Sequence, residues 1–401
     1  MKRYTKSELR LLLACFWAYT AAYISRCNLS PSLAAIAASF GVSAARAGLL
    51  PTCFAIPYAV GQIVSGLLAD RYPAVRLMLI GLLGSSAVNV LFSICPYFPL
   101  LVALWFVNGL LQSMVWTPIM RILAVQFRDS VRDHAVFFIS LTLIFGYLLA
   151  WALSGLLTSL FGWRAAFLVS GTVTAAIAVP SVLRMKGLPA GGPSLPGEPP
   201  KARAPIRKLL LGTNLILLLI CCFTNGYVRD SISYWATKLL MDTQGIDLNS
   251  AVGIILIIPC VNFLGIQMGR AAYQRTGNNL YLSSGILFAV CTVLCAALGP
   301  VSQSSLPGCI AVLVLISAMT YGLNPLLTTL MPMLYCHMNR VALAAGLLDA
   351  MIYAGSAFSG FFAGYLCDRF GWSAVFLSWA ALSLIGTLTL EAARRAGKRG
   401  A

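Results

Sequence analysis

The sequence predicts an all-α protein that crosses a membrane twelve times, from three observations: sustained hydropathy, the spacing of apolar runs and the placement of basic residues. Hydrophobic residues make up 59% of the 401 positions, charged residues only 10%, and mean hydropathy is +0.86. A soluble domain carries about 25% charged residues, so the solvent here is lipid. In lipid every backbone N–H and C=O must be satisfied within the chain, and apolar runs of about 20 residues then form helices. The alternating ten-residue segments of a barrel are absent.

The runs give spans at 9–29, 45–69, 77–95, 98–127, 135–160, 163–184, 207–239, 249–271, 279–299, 306–335, 339–366 and 371–393. The first follows basic residues and has no small-residue cleavage site behind it, so it is retained as a helix. One long polar segment, Met185 to Lys208, contains Pro189, Pro193, Pro196, Pro199, Pro200 and Pro205 with several glycines. Such a composition neither spans nor packs. The expected organisation is therefore a six-helix half at 1–184, a linker at 185–207 and a second six-helix half at 208–401.

The net charge of +17 would suggest nucleic acid in a soluble protein, but here position explains it. With the N-terminus inside, the inner segments hold 22 of the 28 Lys and Arg residues, and the outer segments hold Arg46, Arg164, Lys238 and Arg369. That bias predicts both termini and the linker in the cytoplasm, with the chain in the plasma (inner) membrane. The twelve cysteines lie mostly inside apolar runs, without a CxxC pair or a His cluster, and read as small packing residues. No nucleotide loop, metal cluster or nucleophile–base arrangement is present in the sequence, so neither an enzyme nor a cofactor is expected.

A repeat supports the division into halves. Phe161-Gly162-Trp163-Arg164-Ala165-Ala166-Phe167 recurs 209 residues later as Phe370-Gly371-Trp372-Ser373-Ala374-Val375-Phe376. Arg26 and Arg229, the two basic residues left over from the loops, are 203 apart, each near a tyrosine, Tyr23 or Tyr227. Equivalent positions in two halves are what a transporter built from parallel repeats shows, with its site near the midplane.

An arginine at the bilayer centre costs about 2.5–3.5 kcal/mol and keeps its proton, so it faces a partner or a water-filled cavity. Two guanidiniums can grip the oxygens of one dianionic group bidentately. The structural alternative is that Arg26 snorkels from the outer end of helix 1 and Arg229 pairs with a carboxylate. Tyr19, Tyr23 and Arg26, at i, i+4 and i+7, share one helix face.

Gly66-Leu67-Leu68-Ala69-Asp70-Arg71, at the turn between helices 2 and 3, resembles the cytoplasmic signature of the major facilitator superfamily. That resemblance covers the whole chain and implies two pseudo-symmetric six-helix bundles, with Asp70 and Arg71 in a charge network at the cytoplasmic gate. Tyr19, Tyr23, Arg26, Tyr58, the stretch Asn108 to Pro118 with Trp116, Arg229, Tyr321 and Tyr353 further resemble the organophosphate:phosphate antiporters. In that family, which includes glycerol-3-phosphate and hexose-6-phosphate transporters, two arginines bind phosphate and the tyrosines line the cavity. The chain departs from the pattern at Gln62, where a lysine is expected, and at Leu143 beside Thr142, where a histidine is expected. Its two histidines, His134 and His337, fall in predicted cytoplasmic loops. Arg26-Cys27-Asn28-Leu29-Ser30 and Tyr58 to Ile63 are also similar to the proton-coupled anion:cation symporters of sugar acids, and Arg121 fits both families.

Asp349 lies inside helix 11, four residues before Tyr353 and on its face. Three readings stand for it: a charge partner for a cavity arginine, a proton site, or a polar contact to a neighbouring helix. Asp230 points about 100° from Arg229 around an ideal helix and is not expected to be its partner. The substrate-binding set is thus Arg26, Arg229, Tyr19, Tyr23, Tyr58, Gln62, Trp116, Tyr321 and Tyr353, with Asp349 as coupling or charge partner. The expected activity is secondary transport of a small organic anion or phosphate by a single chain in the bilayer, by exchange if a cationic empty cavity cannot reorient. Sugar-acid symport and membrane sensing of a sugar phosphate are the alternatives.

Overall fold

The structure, a computed structural model, describes residues 4–42, 44–185, 204–211, 213–246, 254 and 257–399. Among the described residues, the long helices are, in chain order, α1 Lys6–Cys27, α2 Leu49–Arg71, α3 Ala74–Ile94, α4 Phe98–Gln126, α5 Asp129–Phe161, α6 Trp163–Leu183, α7 Leu215–Gln244, α8 Ile257–Arg275, α9 Leu280–Ser304, α10 Leu306–Met338, α11 Val341–Phe370 and α12 Trp372–Arg399, twelve in all. Ten are long and apolar enough to cross a membrane. The exceptions are α1, which carries Lys6, Glu8, Arg10 and Arg26, and α8, whose expected start near 249 lies outside the described residues. Most of the expected linker also lies outside them. Among the described residues there is no strand.

The packing divides the chain into two units: Met1–Arg203 with Met333–Ala350, and Ala204–Pro332 with Met351–Ala401. In the first, α2 packs on α4, α3 on α6 and α4, and α1 on α5 and α6. In the second, α9 packs on α12 and α10, α8 on α10, and α7 on α12.

The first expected span ends earlier than its hydropathy does, and a second helix, Leu29–Phe40, follows it directly. Pro31 is the reason. It has no N–H for the Cys27 carbonyl and its ring crowds that carbonyl, so the helix breaks at Asn28 and restarts.

The repeated aromatic motif has a common geometry. Gly162 (φ +82°) joins α5 to α6 and Gly371 (φ +75°) joins α11 to α12, each directly before the tryptophan that opens the next helix. Positive φ is open to glycine at little cost, which accounts for the glycine in both copies.

At the start of α1, Thr5 and Glu8 form a capping box, and Glu8 also accepts from Nε and Nη2 of Arg128, both at 2.9 Å. The Arg128 guanidinium, with help from Thr5, holds the Glu8 carboxyl down at about 2. This ties the beginning of α1 to the α4–α5 turn.

Candidate substrate site

In the first unit, the candidate residues gather at the end of α1. The guanidinium of Arg26, half-buried, lies over the Tyr23 ring at 4.5 Å and the Tyr58 ring at 5.3 Å from the ring centroids. Cation–π contacts of this kind hold the guanidinium plane against the two rings. Tyr19 stands 5.1 Å from Tyr23 and stacks on Trp116 of α4 at 4.9 Å, so the i, i+4 pair faces one way as its spacing predicts. Gly146 of α5 leaves the room for this: a Cβ there would lie 2.6 Å from Cβ of Tyr23. Asp349, in the part of α11 that belongs to this unit, is close enough to act electrostatically on both Tyr19 and Tyr23. Gln62 is fully buried in α2, and neither its amide N nor its amide O has a hydrogen-bond partner.

Behind Arg26 is a buried polar network. The Ser25 carbonyl accepts from the side-chain amides of Asn89 and Asn108, each at 3.0 Å. Gln112 donates to the Ala22 carbonyl at 3.0 Å and to Ser25 Oγ at 2.8 Å. Ser85 donates to Asn108 Oδ1 at 2.6 Å, and Asn28 donates to Asn89 Oδ1 at 2.8 Å. These bonds pair buried side-chain amides and hydroxyls with one another and with carbonyls in the last two turns of α1, where unpaired polar groups would be costly. Asn108, Gln112 and Trp116, spaced i, i+4 and i+8, are thus one face of α4 turned onto α1. The polar i, i+4 pair Ser85 and Asn89, inside an apolar run, was the available signal for the rest of the network.

The second unit treats its arginine differently. Arg229 donates from Nε to Asp230 Oδ1 at 2.7 Å, from Nη2 to Asp230 Oδ2 at 2.8 Å and from Nη1 to Asn324 Oδ1 at 3.0 Å. The expectation that Asp230 points away is corrected here. The two side chains do leave the helix about 100° apart, but the arginine is long enough to fold across that angle. The Arg229 guanidinium lies 5.8 Å from the Tyr321 ring centroid, and Tyr353 is within electrostatic reach. Tyr227, its neighbour in the repeat, belongs elsewhere: its hydroxyl is 3.1 Å from Ser378 Oγ and its ring packs on Phe358. Asn225, one turn before Arg229, is fully buried with neither amide atom hydrogen-bonded.

At the α2–α3 turn, Asp70 is buried and pairs with Arg340 at 3.5 Å, whereas Arg71 is exposed. Arg121 is buried and donates to the carbonyls of Ala69 and Tyr72. Its role is to hold the turn. The ion partner of Asp70 therefore comes from the residue before α11, which motif reading did not single out.

The profile described as Major Facilitator Superfamily matches residues 15–338, most of the chain. The chain belongs to the major facilitator superfamily. It is accordingly a multi-pass membrane protein of a transporter superfamily and not an enzyme. It is 24% identical to the "Membrane sensor protein UhpC" of Escherichia coli (strain K12), over 97% of this chain and 92% of that protein. It is 23% identical to the "Glycerol-3-phosphate transporter" of Bacillus subtilis (strain 168), over 99% and 94%. A "Probable hexose phosphate transport protein" of Chlamydia trachomatis is 28% identical, but that match spans 33% of this chain and 29% of that protein. The fold matches FucP in the outward conformation, with a TM-score of 0.74 at 14% identity over 95% of this chain and 97% of FucP. It matches a bacterial homologue of the iron transporter ferroportin at 0.77 and 12%, over 98% and 100%.

Proposed function

We propose that this superfamily member carries a small organic anion, a phosphate ester or phosphate itself, across the plasma membrane by alternating access, with Arg26 and Arg229 gripping the anion. The observation that carries this reading is that each unit sets a guanidinium beside tyrosine rings, Arg26 in the last turn of α1 and Arg229 within α7. A tetrahedral oxyanion offers several acceptor oxygens, and the forked guanidinium matches them two at a time. Tyr19, Tyr23, Tyr58, Tyr321 and Tyr353 complete the lining with hydroxyl donors, and Gln62 and Trp116 add N–H donors. In the proposed topology, halves 1–184 and 208–401 are joined by the linker 185–207, both termini are cytoplasmic and the single chain is the working unit. Asp70 and Arg71 mark the cytoplasmic gate, and Asp349 tempers the charge of Arg26.

The names of the relatives, a glycerol-3-phosphate transporter and hexose phosphate transport proteins, support the phosphate-ester class. The test is counterflow of labelled phosphate, glycerol 3-phosphate and a hexose phosphate in proteoliposomes. Arg26→Lys or Arg229→Lys should lower exchange by about 10–100-fold, because lysine replaces a planar fork by a point charge. Full exchange of every anion by both variants counts against the grip. The nearly full-length match to a membrane sensor favours a second reading, in which the sugar phosphate is bound and signalled. Saturable binding without flux in the same vesicles distinguishes it.

A further inference from the structure

Arg229 is not an open cation. Asp230 already makes the bidentate contact an oxyanion would make, and Asn324 takes a third N–H. Both members of the pair are shielded from water, at 11% and 15% side-chain exposure. Because they are adjacent residues of α7, no rigid-body motion separates them. Around them, α7 contributes Tyr234, whose hydroxyl is 3.1 Å from Ser356 Oγ of α11; α10 contributes Tyr321 and Asn324, and α11 contributes Tyr353. On α12, Ser378 and Trp379 are engaged with Tyr227 and Ser231. These neighbours are uncharged. Arg229 is the counter-ion of Asp230.

The pair is neutral when no substrate is bound. If an anion takes over the guanidinium, the carboxylate is left as a second negative charge in a site with little water, a state that neutralisation by a proton relieves. Resting on the reading that Arg229 binds the anion, we propose that Asp230 is the coupling residue of this carrier. The anion displaces Asp230 from Arg229, Asp230 takes one proton from the same aqueous side, and anion and proton cross together. On the far side the anion leaves, Arg229 pairs with Asp230 again and the proton is released. One proton enters and one leaves per cycle. Because the emptied pair needs no replacement anion, the carrier returns unloaded, and transport is net uptake coupled to protons instead of obligatory exchange.

The experiment uses the full chain in anion-free proteoliposomes, with the membrane potential clamped at zero and labelled phosphate, glycerol 3-phosphate and gluconate as probes. An inside-alkaline gradient of one pH unit should drive about tenfold accumulation of the transported probe at one proton per anion. A pH electrode in a weakly buffered medium should record alkalinisation in step with uptake. Asp230→Asn should lose the gradient-driven accumulation by a far larger factor than it loses counterflow, whereas Asp230→Glu should keep both. Brisk counterflow in the unaltered protein with no accumulation and no proton movement overturns the coupling while leaving the anion carrier intact. Gradient-driven accumulation that survives Asp230→Asn overturns the assignment to Asp230. Absence of counterflow with all three probes instead sinks the anion-carrier reading, and the coupling with it.

Discussion

Arg26 of the first unit and Arg229 of the second are both shielded within helical packing, and the chain accommodates the same cation in two ways. Arg26 lies over two tyrosine rings, in front of a buried polar network on the last turns of α1. Arg229 is neutralised by the next residue of its own helix and steadied by Asn324. The first arrangement sets the charge against aromatic faces. The second stores it in a pair with a carboxylate.

The difference can be broken most visibly through stability. Arg229→Ala strands the Asp230 carboxylate and should cost about 3–5 kcal/mol, because removing one member of a buried pair leaves an uncompensated charge. Arg26→Ala removes cation–π contacts worth about 0.5–2 kcal/mol and should lower Tm less. Thermal denaturation of the purified variants gives the order, and Arg229→Ala combined with Asp230→Ala should recover most of the loss. Equal losses from the two single replacements would erase the distinction.

A smaller effect separates two buried asparagines. Asn108→Ala breaks the network on the Ser25 carbonyl and should cost about 1–3 kcal/mol, since it leaves buried acceptors and donors unpaired. Asn225→Ala removes an amide that makes no hydrogen bond, so Tm should hardly change. Thermal denaturation of the two variants reads the difference.

The smallest effect lies outside the membrane spans. Arg128 holds the Glu8 carboxyl at about 2, below its ordinary 4.5, so the bridge stabilises the fold above the unfolded value. That contribution is lost as pH falls from about 4.5 towards about 2, and Glu8→Gln should flatten Tm against pH in that window.

Hydropathy and charge placement alone determined the membrane class, the long helices and the two arginines, because lipid allows few ways to satisfy a backbone and few places for a guanidinium. The Phe-Gly-Trp repeat was legible for a similar reason: positive φ leaves its mark as glycine in both copies. The i, i+4 spacing also brought Tyr19 and Tyr23 together as expected. Pairings between side chains were not legible in this way. Spacing specifies the direction of a Cα–Cβ bond, but the reach of a long side chain and the groups offered by other helices decide what it meets. Thus Arg229 does pair with a carboxylate, but with its neighbour Asp230, and Asn324 joins it; and Arg340 of a later segment meets Asp70. Only the tertiary structure could decide these, because each depends on a partner from another helix or on a side chain folding back across its own.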